Sequence, residues 1–292
     1  MKAAEFDYIR ADSVAAACAA LAAAGPGEER KIIAGGQTLV PLMAMRLARP
    51  ALLVDIDGIP GLDGIEARDS YVAIGAMTRQ RAAELSPAVR DAVPLLARAL
   101  RFVGHVQTRN RGTVGGSLVH GDPSAEIPLA AVALDAELEA EATGGKRTYA
   151  AASFFEGPMV TAIAPDECLV EARFPVWNGG RIGAGFQEVA SRRGDFAIVA
   201  AAAQVALDGG GTCTRIAAAL GGVAPGPVRI AALEDALAGT RLEDGAIDAA
   251  LASVGGAIEP DDDLHATAAY RGRVAEVLLG RAIREARDEA RA

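Results

Sequence analysis

Two glycine pairs at junctions between predicted elements constrain this chain more than any other feature of its sequence. The first pair, Gly35-Gly36, follows a predicted strand at residues 31–33 and precedes a predicted helix. The second pair, Gly115-Gly116, follows the basic segment 109–111. Because glycine has no Cβ, each pair lets the backbone turn sharply and approach another group closely.

Both glycine pairs are flanked by residues suited to binding an anion. Free backbone N–H groups at the start of a helix attract negative charge, and the hydroxyls of Thr38, Thr113 and Ser117 add further donors. Two such loops can hold the two phosphates of a pyrophosphate. Neither loop matches the GxGxxG or GxxxxGK[ST] pattern, so spacing alone indicates only an unspecified phosphate compound. Taken singly, each pair is explained equally well by an ordinary turn.

The hydrophobic pattern divides the chain into two units of an α+β protein. The first unit has predicted strands at 31–33, 52–56 and 71–75, and predicted helices at 13–24, 39–47 and 93–103. A Gly-rich segment at 175–180 then separates predicted domains at 1–177 and 178–292. The second unit has predicted strands at 186–190, 198–207 and 215–220, followed by three helices, so we predict an antiparallel sheet and a helix bundle. The last helix is predicted to bury Tyr270, Val274, Val277, Leu278 and Ile283.

Composition excludes several classes of function. A net charge of −9 argues against non-specific nucleic-acid binding, and we expect no membrane span. Only 4% of residues are aromatic, so the core must consist mainly of small aliphatic side chains. The three cysteines are too few for an iron–sulfur cluster, which needs four ligands, and the histidines show no metal-binding pattern. The N-terminus has no apolar signal core, so we expect a cytoplasmic protein.

Several segments, in order along nearly the whole chain, resemble the FAD-binding medium subunits of molybdenum hydroxylases, the xanthine dehydrogenase and aerobic carbon monoxide dehydrogenase type. The two glycine loops carry most of the resemblance, with IIAGGQTLVPLM at 32–43 and RNRGTVGGSLVHGDPSAE at 109–126. Three further segments match, with IGAMT at 74–78, SRRGDFAIV at 191–199 and RVAEVLL at 273–279. Ordered matches of this kind are far more specific than two glycine pairs.

The resemblance implies a fold and a cofactor. It implies a two-part FAD-binding domain of the vanillyl-alcohol oxidase (PCMH) type, a C-terminal domain resembling that of carbon monoxide dehydrogenase flavoproteins, and non-covalent FAD. The implied FAD contacts lie in the two loops and at three positions beyond them: Ala34, Gly35, Gly36, Gln37, Thr38, Leu39, Thr113, Val114, Gly115, Gly116, Ser117, Asp122, Glu126 and Arg192.

Four residues near the implied site need separate comment. Glu126 stands where the family usually has Asp, as a partner for flavin hydroxyls, and its extra methylene keeps the acceptor but moves it. Arg192 stands where the family places a cation near the flavin ring, which would favour anionic reduced flavin, and its alternative is a solvated surface charge. Asp122 either contacts the flavin or starts the turn at Pro123. His120 either borders the FAD site or is an ordinary loop residue.

The resemblance also implies a function. The chain would be an oxidoreductase subunit that passes electrons from iron–sulfur clusters through FAD to an external acceptor, with no catalytic acid or base of its own. Its implied partners are a small [2Fe–2S] subunit and a large molybdopterin subunit, in a dimer of heterotrimers. Two alternatives stay open: a self-contained FAD-dependent oxidoreductase with its own small-molecule substrate, and a flavin-free scaffold subunit.

Overall fold

The chain begins with a small parallel sheet that positions the first glycine loop. The computed structural model describes residues 2–292. Its first elements are β1 (Asp7–Arg10), α1 (Val14–Ala22), β2 (Arg30–Ile33), α2 (Leu39–Ala44) and β3 (Leu52–Asp55), with the strands in the order β1-β3-β2. Ser13 starts α1 by accepting a hydrogen bond from the Ala16 N–H at 3.2 Å. α2 is shorter than the predicted 39–47, because Arg46 has a left-handed backbone (φ 60).

A five-stranded antiparallel sheet forms the second layer. The following elements are β4 (Ile65–Ala67), β5 (Tyr71–Gly75), α3 (Gln80–Leu85), α4 (Pro87–Ala92), α5 (Pro94–Leu100), α6 (Val106–Arg111), α7 (Val114–His120), α8 (Glu126–Ala133), β6 (Glu137–Ala142), β7 (Gly145–Ala150), β8 (Phe155–Gly157), β9 (Val160–Thr161) and β10 (Cys168–Pro175). The strand order β4-β5-β10-β6-β7 places the late strand β10 at the centre. The helix predicted at 93–103 is α5, which starts at Pro94 and ends at Leu100.

The second unit is an antiparallel meander covered by helices. It contains β11 (Arg181–Ala190), β12 (Ala197–Leu207), β13 (Cys213–Gly221), β14 (Val228–Arg229), α9 (Ala231–Leu237), α10 (Asp244–Leu251) and α11 (Ala268–Arg291). The four strands pair in sequence order. Both faces of β12 are buried: Ala200 and Ala202 face the core of the first unit, and Ala201 and Ala203 face the core under α9–α11.

α11 packs unusually closely on β11. A Cβ at Gly183 or Gly185 would fall directly on the carbonyl oxygen of Ala286 or Ala282 in this helix. The buried face of α11 is therefore rich in alanine. The predicted face is wrong in part: Leu278 and Ile283 are buried, but Tyr270 is 39% exposed and Val277 51% exposed.

The hydrophobic core runs across the predicted domain boundary. Phe102 and Phe186 pack with ring centroids 5.0 Å apart, and the Leu95 N–H donates to the Gln204 Oε1 at 3.3 Å. The two predicted domains are thus packed into one body, and the exact boundary at 177 stays a prediction. Among residues 2–292, no helix is long and apolar enough to cross a membrane.

Candidate functional site

The first glycine loop, between β2 and α2, offers a run of free backbone donors. Gly36 has φ 72, a left-handed conformation that favours glycine. No hydrogen bond within residues 2–292 uses the backbone N–H groups of residues 35–39. These groups open into a cleft of about 390 Å³ lined by Ile33, Ala34, Gly35, Gly36, Gln37, Val40, Pro41 and Arg111. The loop therefore has the free donors expected of an anion site.

The second glycine loop is built differently. The backbone N–H groups of residues 114–117 are used: those of Val114 and Gly115 donate to the Thr78 and Ala76 carbonyls at 3.0 and 2.9 Å, and those of Gly116 and Ser117 donate to Thr113. The expectation that both loops offer free N–H groups is therefore correct for the first loop and wrong for the second.

Side chains, rather than backbone groups, give the second loop its remaining hydrogen-bonding capacity. Thr113 is 2% exposed, and its Oγ1 caps α7 by accepting from the Gly116 N–H at 3.1 Å. Val114 and Gly115 are buried as well. Ser117 is half-buried, and its hydroxyl makes no hydrogen bond within the described part of the chain. Gly116 is exposed, so the loop presents a bare Cα and one free hydroxyl.

The two loops touch each other. A Cβ at Gly35 would fall on the carbonyl oxygen of Arg111, and one at Gly116 would lie 4.0 Å from the Ala34 Cβ. Two glycine motifs about eighty residues apart in sequence thus form one surface. This contact explains why glycine is needed at position 35, where no turn requires it.

Two side chains that sequence reasoning missed support this junction. Arg79 donates to the Arg111 carbonyl at 2.7 Å and forms an ion pair with Asp57 at 2.7 Å. The Gln80 Nε2 donates to the Thr113 carbonyl at 3.4 Å from beneath the second loop. Both follow directly on the IGAMT segment, which is the only signal that pointed to them.

A larger cleft lies near the start of α6. It has a volume of about 680 Å³ and is lined by Arg98, Arg101, Phe102, Gly104, Phe186, Gln187, Glu188, Val189, Ala190, Arg192, Arg193, Gly194 and Glu285. Gly104 precedes α6 by two residues, and Arg111 at the end of α6 lines the loop cleft. Arg192 is exposed at the rim and pairs with Asp195 at 2.9 Å. We call the two spaces the loop cleft and the arginine cleft.

The acidic residues after the second loop occupy different environments. Asp122 is half-buried, and its Oδ1 accepts from the Ser124 N–H at 2.8 Å, as a turn-starting residue does. Its Oδ2 lies 3.9 Å from the His120 Nε2. Glu126 begins α8 and is only 8% exposed. Burial raises the pKa of Glu126 to about 8, with added contributions from the charges of Glu188 and Asp122.

All three cysteines are free and buried. Within residues 2–292, no group of three or more His, Cys, Asp or Glu side chains is arranged to hold a metal ion.

Comparison with known families shows the family to which the chain belongs. Residues 4–177 match the family described as the FAD binding domain in molybdopterin dehydrogenase, and residues 184–286 match the carbon monoxide dehydrogenase flavoprotein C-terminal domain. The chain belongs to the FAD-binding subunits of molybdenum hydroxylases. The resemblance inferred from the sequence and the α+β fold class with an FAD-binding domain first are both confirmed.

Individual relatives match this chain over its full length. The chain is 39% identical to the 6-hydroxypseudooxynicotine dehydrogenase complex subunit alpha of Paenarthrobacter nicotinovorans, covering 100% of this chain and 97% of the relative. A structure of carbon monoxide dehydrogenase from Hydrogenophaga pseudoflava superposes with a TM-score of 0.94 at 36% identity, covering 99% of both chains. Quinoline 2-oxidoreductase from Pseudomonas putida 86 gives a TM-score of 0.92 at 32% identity over 100% of both chains. This molybdenum hydroxylase flavoprotein is therefore an FAD-binding oxidoreductase subunit.

Proposed function

We propose that this chain is the electron-carrying subunit of a three-component molybdenum hydroxylase. In this proposal, iron–sulfur clusters on a small partner subunit deliver electrons to FAD on this chain, and an external acceptor removes them. A large partner subunit holds the molybdopterin centre, where substrate is oxidised. The observation that carries the proposal is the contact between Gly35 and Arg111, which joins two glycine loops into one surface.

Each cleft suits a different part of FAD. We assign the pyrophosphate to the loop cleft, where the free N–H groups of residues 35–39 and the Ser117 hydroxyl can donate. The ring is assigned to the arginine cleft, with Arg192 at its rim. The ribityl chain of FAD, which joins its phosphates to its ring, would then run along α6 from the loop cleft toward the arginine cleft.

The proposed FAD contacts follow from this placement. Residues 34–39, Gly116 and Ser117 contact the phosphates directly. Thr113, Val114 and Gly115 are buried and shape the loop from within. Asp122, Glu126 and Arg192 lie along the path toward the ring. When bound, FAD supplies the redox chemistry, and the residues of this chain hold and orient it.

The assembly also belongs to the proposal. Relatives are called a medium chain and a complex subunit, which fits a small [2Fe–2S] partner and a large molybdopterin partner in a dimer of heterotrimers. Partner clusters are required because the three buried cysteines here cannot ligate one. Free buried thiols also fit a reducing compartment, so we place the complex in the cytoplasm.

A tagged copy purified from its native host tests this function. We expect two co-purifying subunits, one with iron and one with molybdenum, and about one FAD per copy of this chain that acid precipitation releases. Recovery of the chain alone, with FAD and full substrate turnover, would favour a self-contained oxidoreductase. Recovery of the assembled complex without flavin would instead indicate a scaffold subunit.

A further inference from the structure

Glu188 interrupts an otherwise apolar face of β11. Side chains alternate along a strand, so Ala184, Phe186 and Glu188 point to the same side, toward the first unit. Ala184 and Phe186 belong to the hydrophobic core there. Glu188 comes next on that face and lines the arginine cleft. An acidic residue at such a position needs an explanation.

The sheet register brings Glu188 near the start of α8. Glu188 pairs with Ala200 on β12, and Ala200 pairs with Gly221 on β13. A Cβ at Gly221 would lie 3.2 Å from the Pro123 carbonyl oxygen, so the segment leading into α8 lies across this row of small residues. Glu126 is the first residue of α8. Glu188 and Glu126 thus stand on opposite sides of the boundary between the units, near enough for the charge of Glu188 to contribute to the raised pKa of Glu126.

Neither carboxyl group has a cationic partner. The Oε2 atom of Glu188 is buried without any hydrogen-bond partner. Glu126 forms no ion pair within the described residues, and Arg109, whose charge acts on it from a distance, is bound to Glu84 at 2.7 Å. A buried carboxylate without a partner is unfavourable, so the pair tends to keep a proton. Burial accordingly raises the pKa of Glu188 to about 7, and that of Glu126 to about 8.

Other charged groups surround the pair without neutralising it. They are Asp122 before α8, Arg109 on α6, Arg98 and Arg101 on α5, Arg192 and Arg193 in the β11–β12 turn, Glu285 on α11 and His105 before α6. Arg98 is engaged by Glu285, and Arg192 by Asp195. The charge of the pair therefore depends on its own proton.

We propose that Glu188 lies beside the ring of bound FAD, and that its carboxyl group and that of Glu126 make the charge near the ring change with pH. This rests on the proposed function, which assigns the ring to the arginine cleft. Below neutral pH the pair is protonated and does not oppose electrons on the ring. Above it, the ionised pair places negative charge nearby and lowers the midpoint potential of the flavin.

The test is the pH dependence of the flavin midpoint potential in the FAD-loaded full chain, compared with Glu188→Gln. We expect the two proteins to agree at pH 6. At pH 9, the reduced-to-oxidised ratio at a fixed potential should be about tenfold higher in the variant, as for one unit charge roughly 10 Å away at an effective dielectric constant of about 20. Glu126→Gln should give a difference with the same pH dependence, which provides a second variant should Glu188→Gln fail to fold.

Glu285→Gln is the matched control, because it removes a carboxylate from the same cleft that already pairs with Arg98. The flavin midpoint potential of Glu285→Gln should differ from that of the unaltered protein by the same amount at every pH. If the midpoint potentials of Glu188→Gln, Glu126→Gln and the unaltered protein, all with FAD bound, change with pH in parallel, this inference is wrong. The proposed function would not be affected by that result. Absence of FAD from the unaltered protein and its complex would overturn the proposed function as well.

Discussion

Gly36 in the first loop is subject to two constraints, a left-handed backbone and a position beside the proposed phosphate site, and these can be tested separately. Gly36 has a left-handed backbone, and its Cβ position lies 3.2 Å from the Val40 Cγ2 beside the loop cleft. Gly27 has nearly the same backbone, with φ 76 against 72, but nothing lies within 4 Å of its Cβ position. The two glycines therefore share the strain that a side chain would cause, but only one borders the proposed phosphate site.

Gly36→Val should weaken FAD binding, because it distorts the loop whose N–H groups would donate to the phosphates in the proposed site. The expected loss is about 1.5–3 kcal/mol, the range for hydrogen bonds to a charged group. The measurement is the dissociation constant of FAD, by titration of the flavin-free chain. Gly27→Val should lower thermal stability in a similar way and leave FAD affinity unchanged. Equal affinity in both variants would show that the first loop does not bind phosphate.

Glu126 makes a separate prediction about stability. In the unfolded chain its carboxyl group ionises near 4.5, but in the folded chain burial holds its pKa at about 8. Unfolding therefore releases a proton between these two pH values, and stability falls as pH rises through that window. Glu126→Gln should stabilise the flavin-free chain at pH 8, by on the order of 3 kcal/mol, and have little effect at pH 5.

Thermal melts of Glu126→Gln at pH 5 and pH 8 measure this difference. Glu276→Gln on the exposed side of α11 serves as the control and should change neither melt. An equal shift of the Glu126→Gln melt at both pH values would contradict a buried, protonated carboxyl group.

At the scale of elements, the strands were the most predictable parts. β5 and β12 match their predicted ranges to within one residue, because their buried runs of small and β-branched residues are continuous. The centre of the second sheet was not predicted, since β10 pairs with strands far away in sequence. α7 was missed for another reason. Two glycines disfavour a helix there, and the Thr113 cap and packing on Ala76 override that preference.

In the candidate site, too, local features could be predicted from the sequence and contacts between distant segments could not. The loop residues were visible as local motifs. Their mutual contact was not, because it depends on how the first two sheets pack. Glu188 was overlooked since nothing in its neighbourhood resembles a motif, although its place among core residues of β11 is a signal in hindsight.

The contact between α11 and β11 is the element most sensitive to added volume. Gly185→Ala should destabilise the protein by about 1–3 kcal/mol or more, since the new methyl group would displace the backbone of α11 at Ala282. Urea unfolding measures the change. Gly209→Ala, in the β12–β13 hairpin with nothing within 4 Å of its Cβ position, should have little effect. A stability of Gly185→Ala equal to that of the control would mean that α11 does not pack as described.

For the whole molecule, the continuous core predicts cooperative unfolding of both units. Trp177, the only tryptophan, lies at the predicted boundary, is 6% exposed and stacks under the Arg215 guanidinium at 4.1 Å. Arg98 of the first unit also pairs with Glu285 and Glu289 of α11 at 2.5 and 2.7 Å. Tryptophan fluorescence and far-UV circular dichroism should therefore follow one urea transition. A fluorescence change well before the loss of secondary structure would show that the units separate first.

The alanine-built strand β12 also limits how such a chain can change over generations. Residues 200–203 are buried on both faces of the sheet, and each fills its place with a single methyl group. A larger side chain at any of these alanines would clash with a packed core on either face. The only smaller residue is glycine, which weakens a strand. Accepted substitutions should therefore accumulate on the outer side of α11 and in the hairpins. The middle of the sheet should be inherited almost as strictly as the loops of the proposed phosphate site.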